Sequence, residues 1–390
     1  MTTFIHTADW QLGKPFASVR DPAKRTLIQQ ERIDALRRIG DVAVARRASF
    51  VVVAGDLFDS PTPARTVVAQ ALGVIGEMPL PVYAIPGNHD PGGLGGLWQQ
   101  PFFESEHRTR APNLHVLLER RVVERDDAVI VPCPLLDRHT TSDPTAWVRD
   151  LDFTTFGPRP RIVLAHGSTG TFGSQADGED VAGPANVVSL GGLPLDDIDY
   201  VALGDWHGFK EAGPKAWYSG THETDRFPKA GQRPGHVACV TVSRGGIPVV
   251  EPVPTGRLAW HQATLDLGDD AAARVEETLA SVARDAGFDR SLVDLALAGR
   301  VSLAARRQLE GVLESWSHRL LRLDVRDEAT LVPSPDEIRD LTERAADPLI
   351  AGVAAELMRR IEAGGGAAAD ARDAVNILHG LCARAGEAAR

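Results

Sequence analysis

The sequence is poor in cysteine: Cys133, Cys239 and Cys382 are the only three in 390 residues, and they are scattered. They form neither a metal-binding spacing nor a disulfide framework, which excludes a small stapled scaffold and fits a reducing cytoplasm. No run of about 18 apolar residues occurs, so no membrane-spanning helix is expected. The first residues lack a basic stretch followed by a long apolar one, so no secretory leader is expected. Positive charge is short as well: 53 acidic against 42 basic residues leave a formal charge of −11. That excludes coating nucleic acid by bulk electrostatics, but not a local cation site that attracts phosphate. Internal repeats and long low-complexity tracts are also absent.

What is present is alternation. Residues 4–8, 50–54, 82–85, 161–165 and 200–203 read as short buried strands, with helical stretches at 22–47 and 63–78 between the first three. Short strands interleaved with helices point to α/β layers. Residues 217–219, 236–243 and 247–253 read as consecutive strands of a second sheet. The stretch between His166 and Asp196 is a Gly-rich polar loop of the kind that lines sites. Beyond Gly256 the glycine and proline punctuation thins. Strands at 263–267, 292–297 and 320–325 alternate there with helices at 271–286 and 304–318, a small α/β cap. Helices at 348–363 and 369–383 follow, split by three glycines at 364–366. Ile350, Val353, Leu357 and Ile361 share one face of the first, and Ala371, Val375, Leu378 and Cys382 one face of the second. The expected domains are 1–256, 257–335 and 336–390, the last a helical hairpin that docks a partner or packs on the cap.

The chemistry-bearing residues follow the strands. Five strands run into Asp9, Asp56, Asn88-His89, His166 and Asp205-Trp206-His207. Open α/β sheets bind ligands at the carboxyl ends of their strands. Alternate residues of an extended segment share a face, so Asp205 and His207 can point at one spot. Carboxylates, an amide oxygen and imidazoles form a mixed N/O ligand set, which suits Mn²⁺, Fe²⁺ or Zn²⁺ better than Ca²⁺. There are enough ligands for two ions, a pair that can clamp a phosphate and activate water.

The stretches HTADWQLG, GDLFD, PGNHD, LAHG and GDWHG, in this order, resemble the calcineurin-like metallophosphoesterases, and within them the SbcD-type DNA-repair exonucleases. The core motifs span residues 4–208, and the likeness continues more loosely through YSGTHETDRF at 218–227. The resemblance implies an α/β fold, a two-sheet αββα sandwich with a smaller α/β cap and C-terminal helices. It implies that Asp56 bridges two metals, that Asp9 and His207 serve the first, and that Asn88, His166 and Asp205 serve the second. His89 would sit beside the phosphate as a catalytic residue, and Asp59 would orient it through a hydrogen bond.

Two positions depart from the family pattern. Asp-x-His reads Asp9-Trp10-Gln11 here, so Gln11 offers only an amide oxygen and the first metal is expected to be weaker. Gly-His-x-His reads Gly204-Asp205-Trp206-His207, and the charged oxygen of Asp205 shifts preference toward harder ions such as Mn²⁺, with Fe²⁺, Zn²⁺ and Mg²⁺ as alternatives. Trp10 and Trp206 are candidates for stacking on bases, against the simpler reading that they pack the loops. His222 is a candidate substrate contact in a loop near the site. Arg108 and Arg110 are candidates for the phosphate backbone, against a solvated face. His6, inside the first strand, reads as a packed structural histidine.

The expectation is therefore a two-metal phosphodiesterase of the cytoplasm that hydrolyses DNA as an exonuclease or endonuclease. By resemblance it would work with an SMC-like ATPase subunit, and a homodimer is common in that branch. The alternatives are a phosphohydrolase of small nucleotides or phosphomonoesters, and a catalytically weak DNA-binding subunit.

Overall fold

Four short apolar runs, β1 (Thr2–Thr7), β2 (Val51–Ala54), β3 (Val82–Ile85) and β4 (Leu114–Val116), lie parallel in one sheet of the computed structural model. The structure describes residues 1–170, 185–344 and 347–388. The crossovers are α1 (Pro22–Ala45), α2 (Arg65–Gly76) and α3 (Pro101–Arg110). Helix α1 starts where Asp21 accepts the N–H groups of Ala23 and Lys24 and Pro22 takes the first turn. Proline costs nothing there, because its missing N–H would have no helical partner.

The second sheet contains β5 (Val123–Glu124), β6 (Val129–Cys133), β7 (Arg161–His166), β8 (Tyr200–Gly204), β9 (Lys210–Gly213) and β10 (Ala216–Tyr218), in the order β5-β6-β7-β8-β10-β9. Strands β6, β7, β8 and β10 are mutually parallel. The chain then returns to the first sheet: β11 (His236–Val242) pairs antiparallel with β1, and β12 (Val249–Pro254) pairs with β11. The expectation that 217–219, 236–243 and 247–253 form one sheet is therefore corrected. The segment ending at Tyr218 extends β8, and the other two cover the open edge of β1. Alternation along a strand says which face is buried, not which strand lies beside it.

Side-chain alternation builds the layers. In β2, Val51 and Val53 pack with Leu36, Ile39, Leu72 and Ile75 of the helices. Val52 and Ala54 face the other way, among Ile162, Leu164, Tyr200 and Ala202 of the second sheet. Val163 and Val201 point outward to Val148, Phe153 and Ile198. Both faces of each sheet are covered, which is why the parallel strands read as unbroken apolar runs.

Met1–Leu258 forms one compact unit and Ala259–Arg390 another. In the second, β13 (Ala259–Leu267), β14 (Ser291–Val301) and β15 (Arg322–Asp327) run parallel, with β16 (Thr330–Leu331) pairing the end of β14. Helices α4 (Ala271–Ala286) and α5 (Leu303–Arg319) supply Val275, Leu279, Leu309 and Trp316, which pack on Val293, Leu295 and Leu297. Then come α6 (Pro335–Thr342), begun by a reciprocal Ser334–Glu337 cap, α7 (Pro348–Ala363) and α8 (Ala367–Ala388). Ala354, rather than the expected Val353, is the buried residue of α7, while Val353 is exposed.

Candidate metal centre

The strand ends of both sheets deliver the polar cluster. Asp9 follows β1, Asp56 follows β2, Asn88 follows β3, His166 ends β7 and Asp205 follows β8. The register His166↔Gly204 sets the last two side by side. Asp9, Asp56 and His166 are buried and offer ligand atoms within 4.8 Å of one another, a group that can hold a metal ion. His166 Nε2 lies 3.6 Å from Asp56 Oδ2 and 4.0 Å from Asp205 Oδ1.

The backbone bends sharply at these positions. Asp9 (φ 53°), Gln11 (φ 40°), Asp56 (φ 56°) and Asp205 (φ 102°) all have positive φ. Non-glycine residues pay for such geometry, and it persists where the surroundings hold it in place. Here parallel main-chain bonds do so: the Asp9 N–H donates to Gly55 O and the Gln11 N–H to Asp56 O. The Asp205 N–H donates to both Asp9 carboxylate oxygens, at 3.0 and 3.2 Å. Two glycines leave the necessary space. A Cβ on Gly55 would lie 2.2 Å from His166 Nδ1, and one on Gly87 2.1 Å from Asp56 Oδ1.

His166 is the best test of whether a cation fits. Its Nδ1 lies 2.7 Å from Ala54 O, and its Nε2 2.7 Å from Asn88 Oδ1. Both neighbours are acceptors. With Nδ1–H donated to Ala54, Nε2 needs positive charge opposite it, either a proton or a metal ion. Burial pulls the imidazolium down, but Asp56, Asp9 and Asp205 outweigh it and hold it up to about 9. Burial also raises the carboxyl of Asp205, to about 6, and that of Asp9. Crowded buried carboxylates of this kind suit a divalent ion. Asp56, Asn88, His166 and Asp205 therefore fit one.

The other half of the cluster is arranged differently. Gln11 Oε1 accepts Lys14 Nζ at 2.8 Å, and Lys14 Nζ also lies 2.9 Å from Asp225 Oδ2. That same oxygen is 3.1 Å from His207 Nδ1. Arg226 reaches both His207 Nδ1 and Asp225 Oδ2 at 3.1 Å. Burial works against the Asp225 carboxylate, yet His207 and Lys14 hold its carboxyl well below the usual range.

His89 is half-buried. Its N–H donates to Asp56 Oδ1, and its Nδ1 bonds the main-chain oxygen of Asp59 at 2.9 Å. The hydrogen bond expected to Asp59 is thus accepted by its main-chain carbonyl. Asp90, which sequence reasoning passed over, closes the turn: its carboxylate accepts the N–H groups of Gly87 and Phe58. Its own place in GNHD was the available signal.

Two candidate substrate contacts are corrected. Trp10 is fully buried, and its indole N–H donates to Thr7 Oγ1 at 2.9 Å, so no face is open to a base. His222 is fully buried, and its Nε2 donates to Arg32 O. Trp206 is half-buried, with Lys210 Nζ 5.1 Å from its ring centre. Arg108 and Arg110 are exposed on α3, where Arg110 pairs with Glu106. His6 is buried as expected, between Tyr200 OH and Leu203 O. Much of the Gly-rich loop, residues 171–184, lies outside the described residues.

Arg32 was also missed. It is buried on α1, and its guanidinium donates to Trp10 O at 2.6 Å and Glu223 O at 2.9 Å. It ties the loop that carries Asp9 to the loop that carries Asp225. The sequence signal was an arginine between the apolar face positions Ile28 and Leu36.

This chain belongs to the calcineurin-like phosphoesterase family, whose model matches residues 2–209. It is 26% identical to the SbcD subunit of the SbcCD nuclease of Rhodobacter capsulatus over 409 aligned positions, covering 89% of this chain and 93% of that protein. It is 34% identical over 101 residues to the uncharacterized metallophosphoesterase YhaO of Bacillus subtilis. That match covers 25% of this chain and spans about a quarter (24%) of the relative's length. One solved structure aligns over 64% of this chain and 98% of its own at 14% identity, with a TM-score of 0.37, too distant a likeness to carry an argument.

Proposed function

We propose that this protein is a divalent-metal-dependent phosphodiesterase that cuts DNA. One observation carries the reading: strand ends from two sheets bring Asp9, Asp56, His166, Asn88 and Asp205 to one buried spot. A divalent ion bound there supplies Lewis-acid polarisation of a phosphate and lowers the pKa of a water. The preponderance of oxygen donors favours Mn²⁺ among the candidate ions.

The chain's own residues then have distinct work. Asp56 holds the ion and fixes the His89 main chain. With its Nδ1–H donated to Asp59 O, His89 in its imidazolium form would present an Nε2–H that protonates the leaving oxygen or stabilises its charge. The Ala54 carbonyl orients His166 through its Nδ1–H, and Asn88 would supply an amide oxygen beside Nε2. Trp206, Arg108 and Arg110 remain the candidate DNA contacts.

DNA is favoured over a small ester because the likeness to a nuclease subunit runs through the second unit as well as the first. That relative's name is that of one subunit of a complex, which supports a partner subunit here, an SMC-like ATPase by the family resemblance. Among the described residues no helix is long and apolar enough to cross a membrane.

The test is digestion of end-labelled duplex DNA with Mn²⁺, comparing wild type with Asp56→Asn. Cleavage by wild type alone is expected. Turnover of small phosphodiesters with intact DNA would point instead to the small-ester reading. Equal DNA binding by both proteins with no turnover of either substrate would sink the enzymatic one.

A further inference from the structure

The two halves of the metal centre depart from the family pattern in opposite senses. In one half a neutral imidazole is replaced by the carboxylate of Asp205, 4.0 Å from His166 Nε2. Together with Asp56 and the acceptors on both sides of His166, this half has gained negative charge. In the other half an imidazole is replaced by Gln11, whose single carboxamide oxygen accepts Lys14 Nζ. Lys14 is not a loose surface lysine. Its side chain is 17% exposed, and its second partner, Asp225, is 1% exposed. The same carboxylate oxygen contacts His207 Nδ1 and the Arg226 guanidinium. Of the three residues that would serve only the first ion, Gln11 and His207 are thus both drawn into a network holding two cationic side chains, while the Asp9 carboxylate accepts the Asp205 N–H.

We propose that this protein binds one divalent ion per chain, in the half formed by Asp56, Asn88, His166 and Asp205, and that Lys14 fills the other half with a fixed positive charge. The proposal rests on the metal-dependent reading above. An ammonium is a compact point charge with three donors, so it can attract a phosphate oxygen while repelling a dication. Breaking the Lys14–Asp225 pair to admit a second ion would take one cationic partner from a buried carboxylate and leave it to His207 and Arg226. The acid at 205 and the lysine at 14 act together: one strengthens the occupied half, the other closes the vacated half.

The experiment uses full-length chelator-treated protein titrated with Mn²⁺ by calorimetry, with electron paramagnetic resonance followed during the titration. The wild type is expected to bind one equivalent and to show a mononuclear six-line spectrum without spin-coupled features as Mn²⁺ is added further. Gln11→His combined with Lys14→Ala is expected to take up a second equivalent and to develop spin coupling. Lys14→Gln alone keeps a donor toward Asp225 without the charge, and covers the case in which the double variant fails to fold. It should tighten the second binding event by about tenfold. Two tight equivalents in the wild type would overturn the one-ion proposal and leave the metal-dependent reading standing. No binding at all would overturn both. An unchanged second event in Lys14→Gln would overturn the role given to Lys14.

Discussion

Met1–Leu258 and Ala259–Arg390 both contain parallel strands joined by helices, yet they treat polar groups in opposite ways. In the first unit, Asp9, Asp56 and His166 are buried together, and Asp90, next to His89, and Asp225, in contact with His207, are buried as well. In the second, the buried polar side chains serve local structure: Ser302 caps α5, and Glu337 completes the cap of α6 while accepting the Ala304 N–H. Backbone strain follows the same division. All eight non-glycine residues described with positive φ fall in the first unit, and four of them are Asp9, Gln11, Asp56 and Asp205. Local rules are broken where side chains must converge and obeyed where the chain only has to pack.

The largest effect should come from Asp56→Asn. Activity should fall by at least about 10²–10³-fold, and bound metal should be lost. The metal-free variant should nevertheless melt above the metal-free wild type, because one of three crowded carboxyl groups has lost its charge. Elemental analysis and a thermal melt check both parts. A lower melting point would show that Asp56 is kept for packing, and would remove the contrast between the units.

His89→Ala should keep its metal while losing about 10²–10⁴-fold in rate, the size expected for a proton donor. An emptied site would place His89 among the ligands instead. Trp316→Ala addresses the second unit. Trp316 is fully buried, and its indole N–H bonds Glu276 at 2.6 Å. Truncation should cost about 3–5 kcal/mol, seen as faster hydrogen exchange in α4 and α5, with metal content unchanged. Metal loss in that variant would mean that the two units do not divide structure from function in this way.

The effect that is smallest at neutral pH concerns His6, whose burial lowers its pKa from 6.5 to about 3. The unfolded chain takes up this proton first as the pH falls. Stability is therefore full above about 6.5 and is lost on acidification at about 1.4 kcal/mol per pH unit until the folded pKa is reached. His6→Gln keeps a polar partner for Tyr200 and should flatten that slope between about pH 6 and 4. A slope identical to wild type, measured by denaturant unfolding across that range, would exclude His6 as its source.

Much of the centre was legible because its residues sit at punctuation. Gly55-Asp56 and Gly87-Asn88-His89 end apolar runs, and a strand that stops at the edge of a buried sheet presents the residues just past its end. The second sheet was less legible. Val129–Cys133 does not stand out as a strand in the sequence, because Pro132 lacks the N–H a strand interior normally donates. Nor could it assign β11 and β12 to β1, since alternation carries no information about neighbours. Trp10 and His222 were misjudged because being near the site in sequence is not being open to it. Arg32 fills the space behind both, donating to Trp10 O and lying against His222, whose Nε2 bonds its carbonyl.

By itself, the sequence determined which donor types succeed which strands: the acids at 9, 56 and 205, the amide at 88 and the histidines at 89, 166 and 207. Those identities depend on local order, and local order is what a linear pattern records. Tertiary structure alone decided that two sheets would bring these ends together and which acceptors would surround His166. It alone decided, too, that Lys14 would meet Asp225, 211 positions further along the chain. Such pairings are settled by sheet packing and by the need to match every buried charge. No spacing along the chain encodes either one.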